Sequence, residues 1–231
     1  TTVDGVSYGK AIKVFTIAPC PVSKPINNNI ITSFIYDGTD KTCVLSYDTT
    51  TMAISGNVAT NAGNYTAIIS LKDSKNYIWD DGTTTPIEYS WSISPKTLII
   101  PQILGESSFI YTGSQQNINF DSFDSSTMTI SGNSAINVGN YTATIALKDK
   151  SNFIWSNKTT TNIVYSWNIS KKALPIPQIL GNNLFSYDGN THGLNFDSFD
   201  SSTMTISGNS ETEAGNYTTT ISLKDTQNYM W

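Results

Sequence analysis

The sequence predicts an all-β protein built from three tandem β-sandwich repeats of about 76 residues each, since a fixed period of this length indicates tandem copies of one small domain. A Gly-Asn-Tyr-Thr motif returns at a constant interval, which we call the period, with its tyrosine at Tyr65, Tyr141 and Tyr217. Apolar and polar residues alternate with period two between turn residues, and no stretch shows helical periodicity.

The period also predicts where each repeat begins and ends. We predict a first repeat over residues 19–94, a second over residues 95–170 and a third over residues 171–231. Residues 1–18 precede the first repeat, and we interpret them as the closing strand of a preceding or neighbouring unit. The linkers between repeats are only a few residues long, which predicts an elongated rod.

Each complete repeat is predicted to contain about seven strands. The longest covers residues 64–72 in the first repeat, where alternate residues from Tyr65 to Leu71 are apolar and face one core. Shorter strands are predicted at residues 21–26, 30–36, 43–47, 52–55, 76–79 and 87–93. Short alternating strands without helices predict a sandwich of two antiparallel sheets.

The closing strand of each repeat has an aromatic residue in phase with the period. Trp91 and Trp167 hold this position, and Phe15 lies one period before Trp91. The alternation around Phe15 predicts a further strand, which we interpret as an assembly strand. Its apolar residues are Ala11, Ile12, Val14, Phe15 and Ile17.

The third repeat stops before its closing position. Trp231 is in phase with Trp79 and Trp155, which each precede a closing aromatic residue by the same short interval. The third repeat therefore lacks its last strand, whereas residues 1–18 are a last strand without a repeat. Two interpretations stay open: residues 1–18 of one chain complete the third repeat of the next, or the chain boundary cuts a longer array out of phase.

The recurring motif resembles the tyrosine corner of immunoglobulin domains, whose signature is Asp-x-Gly-x-Tyr-x-Cys. The first copy runs from Asn61 to Ala67, and Ala67 replaces the cysteine of the inter-sheet disulfide. In that family the tyrosine hydroxyl bonds back to upstream backbone. We therefore interpret Tyr65, Tyr141 and Tyr217 as structural.

Nearly the whole chain resembles the bacterial Ig-like repeats of Gram-positive surface proteins and some phage tail proteins. The shared features are a Tyr-Asp-Gly turn at Tyr36, a Met-Thr-Ile-Ser-Gly-Asn strand from Met128 and a closing Tyr-Ser-Trp-x-Ile segment from Tyr89. Thr112 and Phe15 depart from the pattern. The resemblance implies an extracellular or cell-surface location and a role as a spacer or adhesive stalk.

The tryptophans and cysteines each allow two interpretations. In-phase recurrence favours core or inter-sheet packing for the tryptophans, and exposed platforms for sugar stacking are the alternative. These residues are Trp79, Trp91, Trp155, Trp167 and Trp231. Cys20 and Cys43, the two cysteines of the chain, form either a disulfide or two buried small hydrophobic residues.

Charge and hydropathy argue against two classes of partner. The net charge is −5 and Lys and Arg form no cluster, so nucleic acid is not an expected partner. No apolar run approaches the roughly 18 residues that span a bilayer, so membrane insertion is not expected. The start, Thr1 to Asp4, lacks a signal-peptide pattern, and we interpret the chain as a mature product or an excised fragment.

No constellation of catalytic or metal-binding residues is recognised, and we predict no cofactor. His192 is the only histidine and is interpreted as a solvated turn residue. The paired acids Asp121 with Asp124 and Asp197 with Asp200 are interpreted as turn residues, with calcium binding or a glycosidase pair as weaker alternatives. A lysine ends each long strand and is interpreted either as a solvated residue or as the donor of an isopeptide bond. These lysines are Lys72, Lys148 and Lys224.

Together these observations predict a non-enzymatic, extracellular structural protein. Its expected partners are further copies of itself, joined head-to-tail, or neighbouring Ig-like repeats. The alternative function is an adhesin-type module that binds a glycan or a host surface protein.

Overall fold

The computed structural model describes residues 11–28 and 30–231, and these form strands and turns without any helix. The predicted all-β class is confirmed. Apolar helices of membrane-spanning length are therefore absent from the described residues. The first ten residues of the predicted 1–18 segment lie outside the described part of the chain.

Most strands have two to four residues, and four strands are longer. The first group is β1 (Cys20–Val22), β2 (Ser33–Ile35), β3 (Lys41–Thr42), β4 (Met52–Ser55), β5 (Val58–Ala59), β6 (Gly63–Leu71), β7 (Tyr77–Trp79), β8 (Ile87–Ser94) and β9 (Lys96–Leu98). The second group is β10 (Ile103–Leu104), β11 (Ser108–Ile110), β12 (Gln116–Asn117), β13 (Asn119–Phe120), β14 (Met128–Ser131), β15 (Ser134–Ala135), β16 (Gly139–Leu147), β17 (Phe153–Trp155) and β18 (Ile163–Ser170). The last group is β19 (Lys172–Ala173), β20 (Ile179–Leu180), β21 (Asn195–Phe196), β22 (Met204–Ser207), β23 (Thr220–Leu223) and β24 (Tyr229–Met230). The four long strands are β6 and β16 with nine residues and β8 and β18 with eight.

The chain forms two compact units. The first contains the residues up to Lys96 together with Ser151–Phe153, and the second contains Thr97–Lys150 and Ile154–Trp231. The predicted boundaries of three repeats are a finer division, which stays a prediction.

The first unit is organised by a four-stranded sheet in the order β2-β8-β6-β4. The long strand β6 pairs antiparallel with β8 along its first part and with β4 along its second part. Its alternate residues Ala67, Ile69 and Leu71 are buried in the core with Trp79 and Trp91. The period-two pattern therefore placed one face of β6 in the core, as the sequence predicted.

The second unit contains a sheet with the same order, β11-β18-β16-β14. Strand β16 pairs with β18 so that Tyr141 lies opposite Trp167, as Tyr65 lies opposite Trp91 in the first unit. Ala143, Trp167 and other buried residues form a core beneath it. Equal spacing along the sequence thus accompanies equal strand register in these two sheets.

The C-terminal segment, residues 171–231, has a smaller sheet. Here β22 pairs with β23 alone, and β23 begins at Thr220. In β6 and β16 the residues before the equivalent of Thr220 receive ladder hydrogen bonds only from β8 and β18. Residues 216–219 have no such neighbour within the described residues, so the strand starts late.

Two predicted strands are absent. Residues 11–19 form no strand, and their apolar side chains Ile12, Val14, Phe15 and Ile17 are exposed. The prediction over residues 43–47 is also wrong, because the strand there is β3, which ends at Thr42. Alternation predicts which residues share a face, whereas a strand also needs a hydrogen-bonding neighbour.

Of the two interpretations of Cys20 and Cys43, the disulfide is excluded, since both thiols are free. Cys43 is fully buried in the core of the first unit, whereas Cys20 is exposed in β1, where it lies opposite Tyr77. Burial raises the pKa of the Cys43 thiol. The alternative interpretation, a small buried hydrophobic residue, therefore holds for Cys43 alone.

Candidate functional site: a groove in the C-terminal segment

The C-terminal segment contains a groove of about 450 Å³, which we call the Phe185 groove. Its walls include the aromatic residues Phe185, Tyr187 and Tyr217, with His192 and Glu211 nearby. Phe185 is 43% exposed and Tyr217 is 50% exposed. The groove lies entirely within the second unit.

The corresponding place in the first unit is filled by an indole ring. Trp91 packs edge-on against Phe34, with ring centroids 5.8 Å apart, and contacts Tyr65 at 4.9 Å on its other side. The tryptophan itself is buried. A phenylalanine and the corner tyrosine thus form two walls, and the closing strand supplies the ring between them.

The second unit repeats this arrangement around Trp167. Its ring lies 6.0 Å from Phe109 and 4.9 Å from Tyr141. Phe185 and Tyr217 follow Phe109 and Tyr141 by one period each. The Phe185 groove therefore has the same two walls, and within the described residues no aromatic ring of a closing strand lies between them.

The backbone on both sides of the groove is unpaired as well. In the complete sheet β18 lies between β11 and β16 and pairs with both of them. The equivalent residues in the C-terminal segment are 184–186 and 215–219, which form no strand. Two neighbouring backbone edges without ladder partners are a template for an added extended peptide.

One backbone carbonyl in each complete sheet accepts a hydrogen bond from the closing tryptophan. Trp91 donates its Nε1–H to the Gly56 carbonyl at 3.0 Å, and Trp167 donates to the Gly132 carbonyl at 2.9 Å. Both bonds are partly buried. The tryptophan therefore fills the space between the walls and also satisfies a polar group there.

In the groove the same carbonyl is satisfied from another direction. The Thr219 hydroxyl lies within hydrogen-bonding distance of two acceptors, the Gly208 carbonyl at 3.1 Å and Asn209 Oδ1 at 3.0 Å. Ala67 and Ala143 hold the position of Thr219 in the complete sheets, and neither can donate from its side chain. With the Thr219 hydroxyl as a donor to the Gly208 carbonyl, an aromatic ring without an N–H group fits the groove chemically.

His192 is half-buried beside the groove, whereas the sequence predicted a solvated turn residue. Its ring stacks on Phe185 with centroids 4.8 Å apart, and its Nε2 lies 2.9 Å from Asp188 Oδ1. The backbone N–H of Asn190, followed by His192, lowers the pKa of Asp188. Sequence reasoning missed the stacking because His192 has no counterpart in the other motifs.

The three corner tyrosines share one local hydrogen bond. Each hydroxyl donates to the carbonyl four residues upstream, over distances of 2.6 to 2.8 Å. The pairs are Tyr65 with Asn61, Tyr141 with Asn137, and Tyr217 with Glu213. The corner thus has the same geometry in the C-terminal segment, although Tyr217 is more exposed there.

Four of the five tryptophans are buried. Trp79 and Trp155 are fully enclosed and donate to the carbonyls of Thr85 and Thr161, while Trp91 and Trp167 fill the complete sheets. None of these four rings offers a face to a sugar, so the stacking alternative has no support from them. Trp231 is partly exposed.

The acidic and lysine side chains singled out by the sequence are engaged in turns. Asp124 accepts hydrogen bonds from the hydroxyl and the backbone N–H of Ser126, and these bonds lower the pKa of Asp124. Asp200 accepts the equivalent bonds from Ser202, which lower the pKa of Asp200. Asp121 and Asp197 accept the backbone N–H groups of Gln102 and Gln178. The strand-end lysines Lys72, Lys148 and Lys224 donate to carbonyls of Thr49, Ser125 and Ser201.

Within the described residues no three His, Cys, Asp or Glu side chains cluster as a metal site. No protein-family model matches the chain, and no curated protein does so either. The Phe185 groove, with its two aromatic walls and unpaired backbone edges, is the candidate functional site of the described residues.

Proposed function

We propose that this chain is an extracellular, non-enzymatic structural protein of tandem Ig-like units that assembles head-to-tail. In this proposal residues 11–17 of one copy enter the Phe185 groove of another and complete its third repeat. The donor segment and the groove are different surfaces, so each copy both gives and receives a strand. Such a contact propagates into a filament rather than closing as a dimer.

The observation that carries the proposal is the match between Phe15 and the groove. Phe15 has the phase of Trp91 and Trp167, and its side chain is 83% exposed. Phe185 and Tyr217 line the groove and are the counterparts of the phenylalanine and tyrosine that flank those tryptophans in the complete sheets. A phenylalanine lacks an N–H donor, and the Gly208 carbonyl already has the Thr219 hydroxyl as its donor.

The register of the complete sheets predicts the register of the donated strand. Tyr65 lies opposite Trp91, and Ile69 lies opposite Ile87. By the same offsets Tyr217 faces Phe15, and the antiparallel pairing runs from Gly215 with Ile17 to Ile221 with Ala11. The whole segment 11–17 would then join the backbone edge at 215–221.

The two faces of residues 11–17 differ in what they would contact. Phe15 and Ile17 match Trp91 and Ile93, which are buried in the first unit. Val14 matches Ser90, which is exposed on the opposite face of β8. The chain therefore offers a matched pair of positions, one facing the groove and one facing solvent.

The test compares the full chain with Phe15→Asp and Val14→Asp by light scattering over a range of concentrations. We expect the native chain and Val14→Asp to associate, and Phe15→Asp to remain monomeric because a carboxylate between the rings of Phe185 and Tyr217 would lose its hydration beside Glu211 and Glu213. Deletion of residues 11–18 should have the same effect as Phe15→Asp. A native chain that stays monomeric, or equal association of both variants, would contradict the proposal.

A further inference from the structure

Inside the first unit, a buried asparagine contacts the backbone beside the corner tyrosine. Asn152 is 5% exposed, and its Oδ1 accepts the backbone N–H of Ala62 at 2.7 Å. Its Nδ2 donates to Asn61 Oδ1 at 3.0 Å. The next residue, Phe153, packs edge-on against Tyr36 with ring centroids 5.5 Å apart.

The second unit contains the same set of contacts one period later. Asn228 is also 5% exposed, accepts the backbone N–H of Val138 at 2.8 Å and donates to Asn137 Oδ1 at 3.3 Å. Tyr229 packs edge-on against Tyr111 at 5.4 Å. The chain thus builds one junction twice, from an Asn-aromatic pair and a corner with a nearby tyrosine.

Each half of this junction also occurs once without the other half, and we call these two sites the exposed halves. Asn76 and Tyr77 precede Asn152 and Phe153 by one period; Asn76 is exposed, whereas Tyr77 is half-buried against the core of the first unit. Asn76 Nδ2 donates to its neighbour Asp73, as Asn228 Nδ2 does to Asp225. The first exposed half is therefore preformed in the same turn as a buried example.

The second exposed half lies in the C-terminal segment. Tyr187 and Ala214 follow Tyr111 and Val138 by one period. Tyr187 is 66% exposed and Ala214 is exposed, whereas Tyr111 and Val138 are half-buried. The corner itself is intact, because the Tyr217 hydroxyl donates to the Glu213 carbonyl at 2.8 Å.

The exposed halves differ from the buried ones in charge. Glu213 stands where Asn61 and Asn137 stand in the two buried junctions. Lys75 stands where Ser151 and Gln227 precede the junction asparagines. Compared with the buried junctions, one exposed half therefore carries an additional negative charge and the other an additional positive charge. These opposite charges favour contact between the two halves.

We propose that Lys75, Asn76 and Tyr77 of one copy dock onto Tyr187, Glu213 and Ala214 of a second copy. The Ala214 N–H donates to Asn76 Oδ1, Tyr77 packs edge-on against Tyr187, and Lys75 pairs with Glu213. This contact deepens the proposed head-to-tail assembly and rests on it. The sequence interval from Phe15 to Asn76 equals that from Trp91 to Asn152, so a donated strand would bring this face along.

The test is a charge exchange in the full chain, measured as a dissociation constant by sedimentation equilibrium at low salt. Lys75→Glu and Glu213→Lys each place like charges together, and each should weaken association roughly three- to tenfold. The double variant restores opposite charges and should recover most of that loss. Glu106→Lys, at an exposed loop position outside the proposed contact, serves as the control and should associate like the native chain.

The outcomes separate this inference from the proposed function. If Phe15→Asp abolishes association while the charge variants equal the native chain, strands are exchanged without this junction and the inference is overturned. A double variant as weak as the single ones overturns it too.

Discussion

Tyr65 lies directly opposite Trp91 in the ladder between β6 and β8, with ring centroids 4.9 Å apart and an angle of 32° between the rings. The two residues stabilise the sheet in different ways: the tyrosine hydroxyl closes a local corner, and the tryptophan ring fills the core. Tyr141 and Trp167 show the same relationship. Tyr217 keeps its corner bond without such a ring beside it, which is why the Phe185 groove is open.

Removing the hydroxyl of a corner tyrosine should destabilise its sheet by about one hydrogen bond. Tyr141→Phe loses the 2.6 Å bond to the Asn137 carbonyl, and we expect a loss of about 1 kcal/mol in the free energy of unfolding. Denaturant unfolding followed by tryptophan fluorescence measures this change. A variant with native stability would show that the corner bond contributes nothing.

Exchanging a closing tryptophan for phenylalanine should be partly rescued by a threonine. Trp167→Phe leaves the Gly132 carbonyl without its donor and opens a cavity, so we expect a loss of roughly 2 kcal/mol. Ala143 and Gly132 are the counterparts of Thr219 and Gly208, whose hydroxyl and carbonyl are hydrogen-bonded. Adding Ala143→Thr should therefore give the Gly132 carbonyl a new donor. The double variant should be more stable than the sum of the single effects predicts.

The control for this cycle uses a tryptophan bound elsewhere. Trp155 donates to the Thr161 carbonyl, so Trp155→Phe combined with Ala143→Thr should show additive effects. Equal coupling in both cycles would mean that the rescue does not come from the Gly132 carbonyl.

Stability should fall at acid pH because turn carboxylates are stabilised in their charged form. The Ser126 hydroxyl, followed by its backbone N–H, lowers the pKa of Asp124 below the value of about 3.9 found in unfolded chains. A lowered folded pKa stabilises the protein fully above the unfolded value, and this stabilisation is lost as the pH falls through the folded pKa. Melting temperatures measured from pH 7 to pH 2 should show the decrease.

The variant Asp124→Asn isolates this contribution. An asparagine keeps the acceptor oxygen and has no charge to titrate, so the melting temperature of the variant should depend less on pH below 4. Identical pH profiles for the variant and the native chain would exclude Asp124 as a source of acid sensitivity.

The two cysteines should differ in reactivity. Cys20 is exposed and Cys43 is fully buried, with burial raising the pKa of its thiol. A thiol reagent should modify one cysteine in the folded chain and both in denaturant, as counted by mass spectrometry. In Cys20→Ser no rapid modification should remain, and a reducing agent should leave the melting temperature unchanged. A fall in melting temperature on reduction would instead indicate a disulfide.

Two segments show what the alternation of apolar and polar residues can and cannot predict. Alternation in residues 64–72 predicted the buried face of β6, because a strand with one face in the core must alternate. The same alternation in residues 11–17 predicted a strand that the chain does not form by itself. Side-chain pattern is local, whereas the hydrogen bonds of a strand come from a neighbour that sequence alone does not supply.

The candidate site shows the same division. The period identified Phe15 and Tyr217 as related to the Trp91–Tyr65 pair, because both follow from counting residues. The Thr219 bond to Gly208, the stacking of His192 on Phe185 and the buried amides of Asn152 and Asn228 could not be counted in this way. Each depends on groups that lie far apart in the sequence or on side-chain geometry.

By itself the sequence determined the all-β class, the constant period of the corner motif and the core-facing residues of the long strands. These depend on local alternation and on repetition, which are visible without a structure. Only the tertiary structure decided that the thiols stay apart, that four tryptophans are enclosed and that the edges beside Phe185 are unpaired. The physical reason is that burial and ladder pairing depend on which segments become neighbours when the chain folds.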